Sequence, residues 1–320
     1  MGLGTWSWGN QFLWGYSEDM DGELREVFRE ACDRGINLFD TADSYGTGAL
    51  DGRSEKLLGE FSEEYCADRK KPRSSLVLAT KLAPYPWRVT TGSFLTAAKA
   101  SAQRMRLDTL DVGQLHWSTA NYQPLQERAL WSGLAALAER GVAREVGLSN
   151  YGPKQMVKIC DFLAKEGVAL GSAQVQISLL SWGPLQRDVL DACTALGVLP
   201  IAYSPLALGM LTGRHRPGDA STYPKGPRNG LYKQVLGGSG ELYGVLDAVA
   251  AERNKSVPQV ALNWCMCKGT VPIPGARNVA QLRSNLGACG WRLSDGEVEE
   301  LERAAARGGK GMVQNIFQTS

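Results

Sequence analysis

Short apolar runs alternate with stretches of helical periodicity along the whole chain. The helical stretches fall at residues 21–34, 55–64, 93–106, 124–139, 153–165, 184–196, 241–254, 258–268 and 280–288. Ser294, followed three residues later by Glu297, has the form of a capping box and predicts a further helix at residues 293–306. The apolar runs predict strands at residues 2–5, 36–40, 76–81, 110–116, 144–149, 172–177, 199–203 and 270–274.

This alternation predicts a (β/α)8 TIM barrel that forms one domain over residues 1–320. A doubly wound sheet is the alternative, but it usually has fewer strands and a glycine-rich fingerprint after its first strand. Gly2-Leu3-Gly4 lacks the third glycine and has no helix directly behind it. Residues 215–240 predict a long loop after the seventh strand, and such loops are often functional. Because the sequence begins inside its first predicted strand, we expect an upstream hairpin, targeting peptide or both.

Composition narrows the classes of function. The net charge of +2, without runs of like charge, argues against nucleic acid or an acidic membrane as a partner. No apolar stretch approaches the roughly 18–20 residues that span a bilayer. The cysteines are odd in number and scattered, which is typical of a reducing compartment. Cys265 and Cys267 continue an apolar helical run without a nearby Cys or His pair, so we interpret them as core residues and predict no metal site.

Ionisable residues stand at or just beyond the ends of three successive predicted strands. Asp40 and Tyr45 follow the second strand, Lys81 ends the third and His116 ends the fourth. The carboxyl ends of parallel barrel strands face one cavity, where such folds carry out their chemistry. The sequence therefore predicts an enzyme.

The four residues suit the reduction of a carbonyl group, because hydride addition leaves an alkoxide that needs a proton. Tyr45 would donate it, and a neighbouring Lys81 would lower the pKa of the phenol. Asp40 would keep Lys81 charged and in place, and His116 would orient the carbonyl oxygen. Each residue alone is compatible with a rim charge, a packed ring or a loop cap, so the prediction depends on their conjunction.

Several motifs, in order from Gly4 to Asn285, resemble the aldo-keto reductase family. They are NLFDTADSYG at 37–46, ATK at 79–81, LD at 107–108, QLH at 114–116, GLSN at 147–150, AYSPL at 202–206, LTG at 211–213 and PIPGAR at 272–277. WGN at 8–10, LWGY at 13–16, HWST at 116–119 and NIFQ at 315–318 resemble its plant and algal chloroplast-type, pyridoxal reductase-like branch.

The resemblance implies a nicotinamide dinucleotide extended across the barrel mouth without a dinucleotide fingerprint. Arg277 would bind the 2′-phosphate beside a helix N-terminus, which favours NADPH over NADH. Arg214 or Arg228 could hold the pyrophosphate, or could simply be solvated. The family's acidic residue before the position of Asn285 is here Ser284, which departs from the pattern at the adenine end. The other expected cofactor residues are Gly4, Thr5, Trp6, Asp40, Ser149, Asn150, Gln174, Tyr203, Ser204, Pro205, Leu206, Ala207, Gly275, Gln281 and Asn285.

Tryptophans near the predicted mouth suggest an aromatic-lined substrate pocket made by Trp8, Trp14, Trp87 and Trp117. Such a pocket suits planar or hydrophobic aldehydes, and the branch makes pyridoxal one candidate. Two other functions stay open: a nucleotide-occupied regulatory subunit with poor turnover, and a Schiff-base enzyme that uses Lys81 as its nucleophile. We expect a small-molecule carbonyl substrate and a location in the chloroplast stroma or cytoplasm, whereas the sequence leaves the oligomeric state open.

Overall fold

Parallel strands form the centre of this computed structural model, which describes residues 1–46, 52–226, 228–308, 311–312 and 318–319. The strands follow one another around an 8-stranded sheet in sequence order, and every neighbouring pair is parallel. They are β1 (Leu3–Gly4), β2 (Leu38–Asp40), β3 (Val77–Leu82), β4 (Leu110–Leu115), β5 (Ala143–Ser149), β6 (Ser172–Gln176), β7 (Leu199–Tyr203) and β8 (Val271–Pro272).

The sheet closes where β8 meets β1. The amide of Gly2 donates to the carbonyl of Pro272 at 2.9 Å, and that of Gly4 donates to Pro274 at 3.2 Å. A side chain at Gly4 would not fit, because its Cβ would lie 2.7 Å from the carbonyl oxygen of Ile273. The prediction of a (β/α)8 barrel is therefore confirmed.

Helices cover the outside of the barrel, and most of them lie where periodicity predicts them. Two were not predicted: the four-residue α1, and α8 inside the segment that was interpreted as a loop. The helices are α1 (Gln11–Trp14), α2 (Asp21–Asp33), α3 (Arg53–Arg69), α4 (Thr91–Arg104), α5 (Pro124–Glu139), α6 (Pro153–Lys165), α7 (Pro184–Leu196), α8 (Arg228–Leu236), α9 (Gly240–Glu252), α10 (Val257–Cys267), α11 (Val279–Leu286) and α12 (Asp295–Arg307).

The packing of α2 shows how an amphipathic pattern builds the core. Leu24, Val27, Phe28 and Ala31 recur at helical spacing, and all are buried. The Phe28 ring stacks on Phe39 of β2 with the ring centroids 4.4 Å apart. Burial of each of the larger side chains contributes roughly 1.5–3 kcal/mol, which fixes the helix against the strand whose last residue is Asp40.

Two predictions concern the ends of the chain. Ser294 and Glu297 form the capping box of α12, as predicted. Residues 315–317 of the NIFQ motif lie outside the described residues.

Among the helices that the structure describes, none combines the length and the apolar composition needed to cross a membrane.

Candidate active site

The carboxyl ends of the strands open into a cavity of about 1140 Å³. Asp40, Lys81 and His116 reach it from β2, β3 and the residue after β4. Tyr45 reaches it from the loop after β2, and Tyr203 from the end of β7. The structure thus brings together the four residues for which the sequence predicts chemistry.

Lys81 and Asp40 form a buried ion pair at the floor of the cavity. The Lys81 ammonium, with 1% of the residue exposed, donates to Asp40 Oδ1 and, at 2.7 Å, to the carbonyl oxygen of Thr41. Asp40 Oδ2 accepts from the side-chain amides of Gln114 at 3.2 Å and Gln174 at 2.8 Å. Burial lowers the pKa of Lys81, and the Asp40 carboxylate opposes that effect. Both charges are therefore compensated within the protein, as buried ions require.

Tyr45 packs its ring over the same ammonium. The Lys81 Nζ lies 5.0 Å from the centre of the Tyr45 ring. Burial, followed by the nearby carboxylates of Asp40 and Asp43, raises the pKa of Tyr45 well above its usual value. The net shift is therefore upward, because desolvation of the phenolate dominates, and the lowering of this pKa by Lys81 stays a prediction. The Tyr45 hydroxyl consequently keeps its proton at neutral pH.

His116 faces Tyr45 with the two ring centroids 5.8 Å apart. Its Nδ1 lies 3.4 Å from the hydroxyl oxygen of Ser44, a contact that the sequence did not suggest. Burial, and secondarily the charge of Lys81, lower the pKa of His116 well below its usual value. The imidazole is therefore neutral at physiological pH, and one of its nitrogens carries a hydrogen to donate.

The turn after β5 connects two walls of the cavity through Asn150. The Asn150 side-chain amide donates to the carbonyl oxygen of His116 at 3.0 Å and to the hydroxyl of Ser149 at 3.0 Å. Its Oδ1 accepts from the Tyr203 hydroxyl at 2.7 Å. The amides of Asn150 and Gln174, which the sequence assigned to the nicotinamide, thus have partners within the protein.

Three arginines also line the cavity. Arg214, Arg228 and Arg277 form no ion pair with a carboxylate in the described part of the chain. Burial, followed by the neighbouring charges of Arg228 and Arg214, lowers the pKa of Arg277. Guanidinium groups that crowd together without a carboxylate favour an anionic ligand between them.

Trp14 contacts two of these arginines. Arg277 Nη1 donates to the Trp14 carbonyl oxygen at 2.9 Å, and the Arg228 guanidinium carbon lies 4.4 Å from the centre of the Trp14 ring. The Arg277 guanidinium carbon lies 5.8 Å from the same ring centre. Trp14 therefore lies on the arginine side of the cavity as well as beside Trp6, whose ring centroid is 5.8 Å away.

The loop that follows β8 shapes the end of this site. The Gln281 side chain accepts from the backbone amide of Arg277 at 2.9 Å, and the Asn278 side chain accepts from that of Gln281 at 2.8 Å. Asn285 donates to the carbonyl oxygen of Gly275 at 3.3 Å. These polar side chains fix the position of Arg277 just before α11.

Comparison with known proteins adds to this geometry. Residues 1–306 match the family model described as the aldo/keto reductase family. The chain belongs to this family. It is 54% identical over 319 residues to the pyridoxal reductase, chloroplastic, of Arabidopsis thaliana, and the match covers 100% of this chain and 86% of the relative. It is 29% identical to the L-glyceraldehyde 3-phosphate reductase of Escherichia coli K12, over 92% of this chain and 86% of the relative.

Solved structures support the fold of this aldo/keto reductase. The glycerol dehydrogenase from Gluconobacter oxydans superposes with a TM-score of 0.76 at 24% identity, over 99% of this chain and 94% of that one. A Bombyx mori aldo-keto reductase in complex with NADP gives a TM-score of 0.71 at 22% identity, over 95% of this chain and 88% of that one. At these identities the likeness concerns the barrel alone.

Three of the tryptophans assigned to the substrate pocket do not line the cavity of this aldo/keto reductase. Trp8 is fully buried, donates to the carbonyl oxygen of Ala276 at 3.0 Å and packs in the core. Trp87 is 66% exposed and stacks on Tyr85 outside the cavity. Trp117 packs against His116, with the two ring centroids 4.8 Å apart, and does not line the cavity. Of the four, Trp14 alone lines the cavity.

Two residues assigned to the cofactor also lie beneath the surface. The Thr5 hydroxyl donates to the carbonyl oxygen of Asp40 at 2.9 Å, and the side chain is fully buried. Ala207 is likewise fully buried. The remaining assigned cofactor residues line the cavity, as do Leu208 and Ser284. Residues that the sequence did not suggest also line it: Ser7, Leu13, Ser44, Gly209, Thr212, His215, Pro224, Leu231, Tyr232, Pro258, Ile273, Pro274, Asn278 and Ala280. Across the described residues, no group of three or more His, Cys, Asp or Glu side chains could hold a metal ion.

Proposed function

We propose that this aldo/keto reductase uses NADPH to reduce an aldehyde to a primary alcohol. The observation that carries the proposal is the division of one cavity into two chemical halves. A protonated tyrosine beside a lysine–aspartate pair lies at the floor, and the cavity is also lined by three arginines that form no ion pair with a carboxylate among the described residues. The first half suits proton transfer, and the second half suits a phosphorylated cofactor.

The arginine half fits a nicotinamide dinucleotide phosphate. Arg277 stands just before the N-terminus of α11 and would bind the 2′-phosphate, while Arg214 and Arg228 would face the pyrophosphate. The backbone of Ser204, Ala207, Leu208 and Gly209 takes positive φ values, a conformation that can gather amide hydrogens around an anion. The Tyr203 ring, fixed through its hydroxyl, offers a stacking surface for the nicotinamide. When bound, this cofactor supplies a hydride to the carbonyl carbon.

The floor residues would handle the proton. Tyr45 donates its hydroxyl hydrogen to the carbonyl oxygen as negative charge develops there. The phenolate that remains is stabilised by the Lys81 ammonium, whose Nζ lies 5.0 Å from the ring centre. Asp40 keeps that ammonium in position, and neutral His116 donates a hydrogen bond that orients the carbonyl oxygen.

For the substrate and compartment we propose pyridoxal, or a similar planar aldehyde, and the chloroplast stroma. The support is the 54% identity to a relative named pyridoxal reductase, chloroplastic. Trp6 and Trp14, which meet edge to face beside Tyr45, offer apolar walls for a flat ring.

The deciding experiment mixes the purified protein with NADPH and measures the fluorescence quenching that reports NADPH binding and the rate of NADPH oxidation. Both are measured without aldehyde, with pyridoxal, and with other aromatic and aliphatic aldehydes. Aldehyde-dependent oxidation would support the reductase, and the relative rates would rank pyridoxal against the others. Binding without turnover would favour the regulatory subunit, and absence of binding would contradict the cofactor assignment.

The Schiff-base alternative needs a neutral amine with a free lone pair. Lys81 instead donates to Asp40 and to the carbonyl oxygen of Thr41, which favours the charged ammonium. Borohydride treatment with an aldehyde substrate should therefore leave Lys81 unmodified, as peptide mass spectrometry would show.

A further inference from the structure

Two short described segments near the end of the sequence, residues 311–312 and 318–319, form hydrogen bonds with the side of the barrel that carries the cavity. The Met312 amide donates to the carbonyl oxygen of Leu180 at 2.7 Å, and its carbonyl oxygen accepts from the Gln176 side chain at 3.2 Å. Thr319, which is only 3% exposed, bonds to the turn after β5. Its hydroxyl accepts from the Gly152 amide at 2.9 Å, and its own amide donates to the Asn150 carbonyl oxygen at 3.4 Å.

The turn that Thr319 contacts has a strained backbone. Asn150 has φ of 62°, in the left-handed region that costs a residue with a side chain roughly 1–2 kcal/mol, although Asn tolerates it better than most. Such a conformation persists only where surrounding contacts hold it. Thr319 supplies one contact at residue 150 and one at Gly152, so it fixes the turn at both ends.

The turn matters because Asn150 reaches both sides of the proposed reaction. Its Oδ1 holds the Tyr203 hydroxyl, and its amide holds the carbonyl oxygen of His116. A shift of the turn would therefore displace the stacking ring and the imidazole together.

We infer that Thr319 is a positioning residue of the active site, which acts through the Asn150 turn and does not itself touch substrate or cofactor. The inference rests on the proposed function for its kinetic consequences, but its structural basis is independent of it. A loss of contact at Thr319 should slow the reaction without removing any group that takes part in it.

The test compares Thr319→Val, which keeps the shape but loses the hydroxyl acceptor, with Thr319→Ser, which keeps the acceptor. For Thr319→Val we expect kcat to fall roughly three- to tenfold, as for the loss of one hydrogen bond, with little change in the aldehyde KM. Thr319→Ser should restore most of kcat. Thr96→Val on the outer helix α4, whose hydroxyl bonds within its own helix, is the matched control and should not change kcat.

Amide hydrogen exchange supplies a readout that does not depend on turnover. The amides of residues 150–152 should exchange faster in Thr319→Val than in wild type, and at the wild-type rate in Thr319→Ser. In an Asn150→Ala background, Thr319→Val should change kcat by less than about twofold, because the connection to Tyr203 is already lost.

Unchanged exchange and kcat in Thr319→Val would overturn the inference, as would equal losses in Thr319→Ser or additive losses in the double variant. A lower melting temperature with wild-type kcat would reduce Thr319 to a structural residue and overturn it too. If wild type turns over no aldehyde, the proposed function fails, and hydrogen exchange alone then decides the role of Thr319.

Discussion

The Tyr45 hydroxyl is the group on which the proposed chemistry depends. Burial and two carboxylates keep it protonated, so its removal should abolish proton donation and leave the arginine half intact. Tyr45→Phe should lower kcat by at least about a hundredfold with nearly unchanged NADPH affinity, measured by turnover and fluorescence titration. Tyr85→Phe, outside the cavity, is the control, and wild-type turnover in Tyr45→Phe would contradict the acid assignment.

Arg277 should discriminate between the two nicotinamide cofactors. Arg277→Ala should weaken NADPH binding by about 1.5–3 kcal/mol, the contribution of a charge-assisted contact, and should change NADH binding little. Isothermal titration with both cofactors measures the difference. Arg283→Ala, in the helix α11 that follows Arg277 and bonded to Glu30 on the surface, serves as the control. Equal losses for both cofactors would mean that Arg277 does not contact the 2′-phosphate.

His116 should make stability depend on pH. Its pKa is lowered in the folded state, so below about pH 6.5 the unfolded chain takes up a proton that the folded protein does not. Wild type should therefore lose up to about 1.4 kcal/mol per pH unit as pH falls from 6.5, and His116→Gln should lack this component. Urea unfolding at pH 7, 6 and 5 measures it, with His215→Gln as the control. If the free energies of unfolding of wild type and His116→Gln changed in parallel with pH, the prediction for His116 would be contradicted.

At the scale of single residues, the sequence predicts the positions of ionisable side chains better than those of aromatic ones. Asp40, Lys81 and His116 end apolar runs, so their position at the barrel mouth follows from periodicity alone. Trp8 and Trp14 lie in the same short connection between β1 and α2, yet one packs in the core and the other lines the cavity. Trp8 is fixed by the carbonyl of Ala276, far along the chain, which no local pattern indicates.

At the scale of elements, α12 depends on a carboxylate shared by two partners. Glu297 accepts from the Ser294 amide at 2.7 Å and from two nitrogens of Arg253, and these bonds lower its pKa to about 2. Because the folded-state pKa is below the ordinary value, the stabilisation is complete above about pH 4.5 and is lost as pH falls towards 2.

Glu297→Gln should therefore lower the free energy of unfolding by about 1–2 kcal/mol at pH 7, and by less at pH 4. Chemical denaturation at the two pH values measures the difference. Glu299→Gln is the control on the same helix, because its pair with Arg303 is exposed and contributes little. If Glu297→Gln lowered the free energy of unfolding equally at both pH values, the loss would come from altered packing and not from the charge of Glu297.

The elements that the sequence failed to predict owe their structure to distant contacts. Helix α8 contains Gly230 and follows a segment rich in proline and glycine, so local propensity favours a loop. Its Tyr232 is fully buried and donates to the carbonyl oxygen of Leu208 at 2.8 Å. This packing against the loop after β7 compensates for the weak propensity, as often occurs in helices.

At the scale of the whole molecule, the seam between β8 and β1 requires glycine. Gly4→Ala would place a methyl group 2.7 Å from the Ile273 carbonyl oxygen, and we expect a loss of about 1–3 kcal/mol in the free energy of unfolding. Gly22→Ala in α2, where the new Cβ meets nothing within 4 Å, should be neutral or slightly stabilising. Urea denaturation compares the two. Equal stability of Gly4→Ala and wild type would show that the seam can relax.

The number of strands, their order and their parallel direction all follow from the repeated pattern of apolar runs and helices. The pairing that closes the barrel does not, because β8 has only two residues and its bonds to β1 join the two ends of the sequence. The contact of Thr319 with the Asn150 turn could not be predicted for the same reason. Both join segments whose proximity exists only after the barrel has formed.

The three arginines also have a kinetic consequence. Their electrostatic potential extends into solvent over roughly a Debye length, so the arginines attract an anion before it makes contact. The association rate of a polyanionic cofactor should therefore fall steeply as ionic strength rises, whereas that of an uncharged aldehyde should hardly change. In a compartment crowded with phosphorylated metabolites, the same field would draw competitors to the cavity, so the occupied fraction would depend on the surrounding pool of anions.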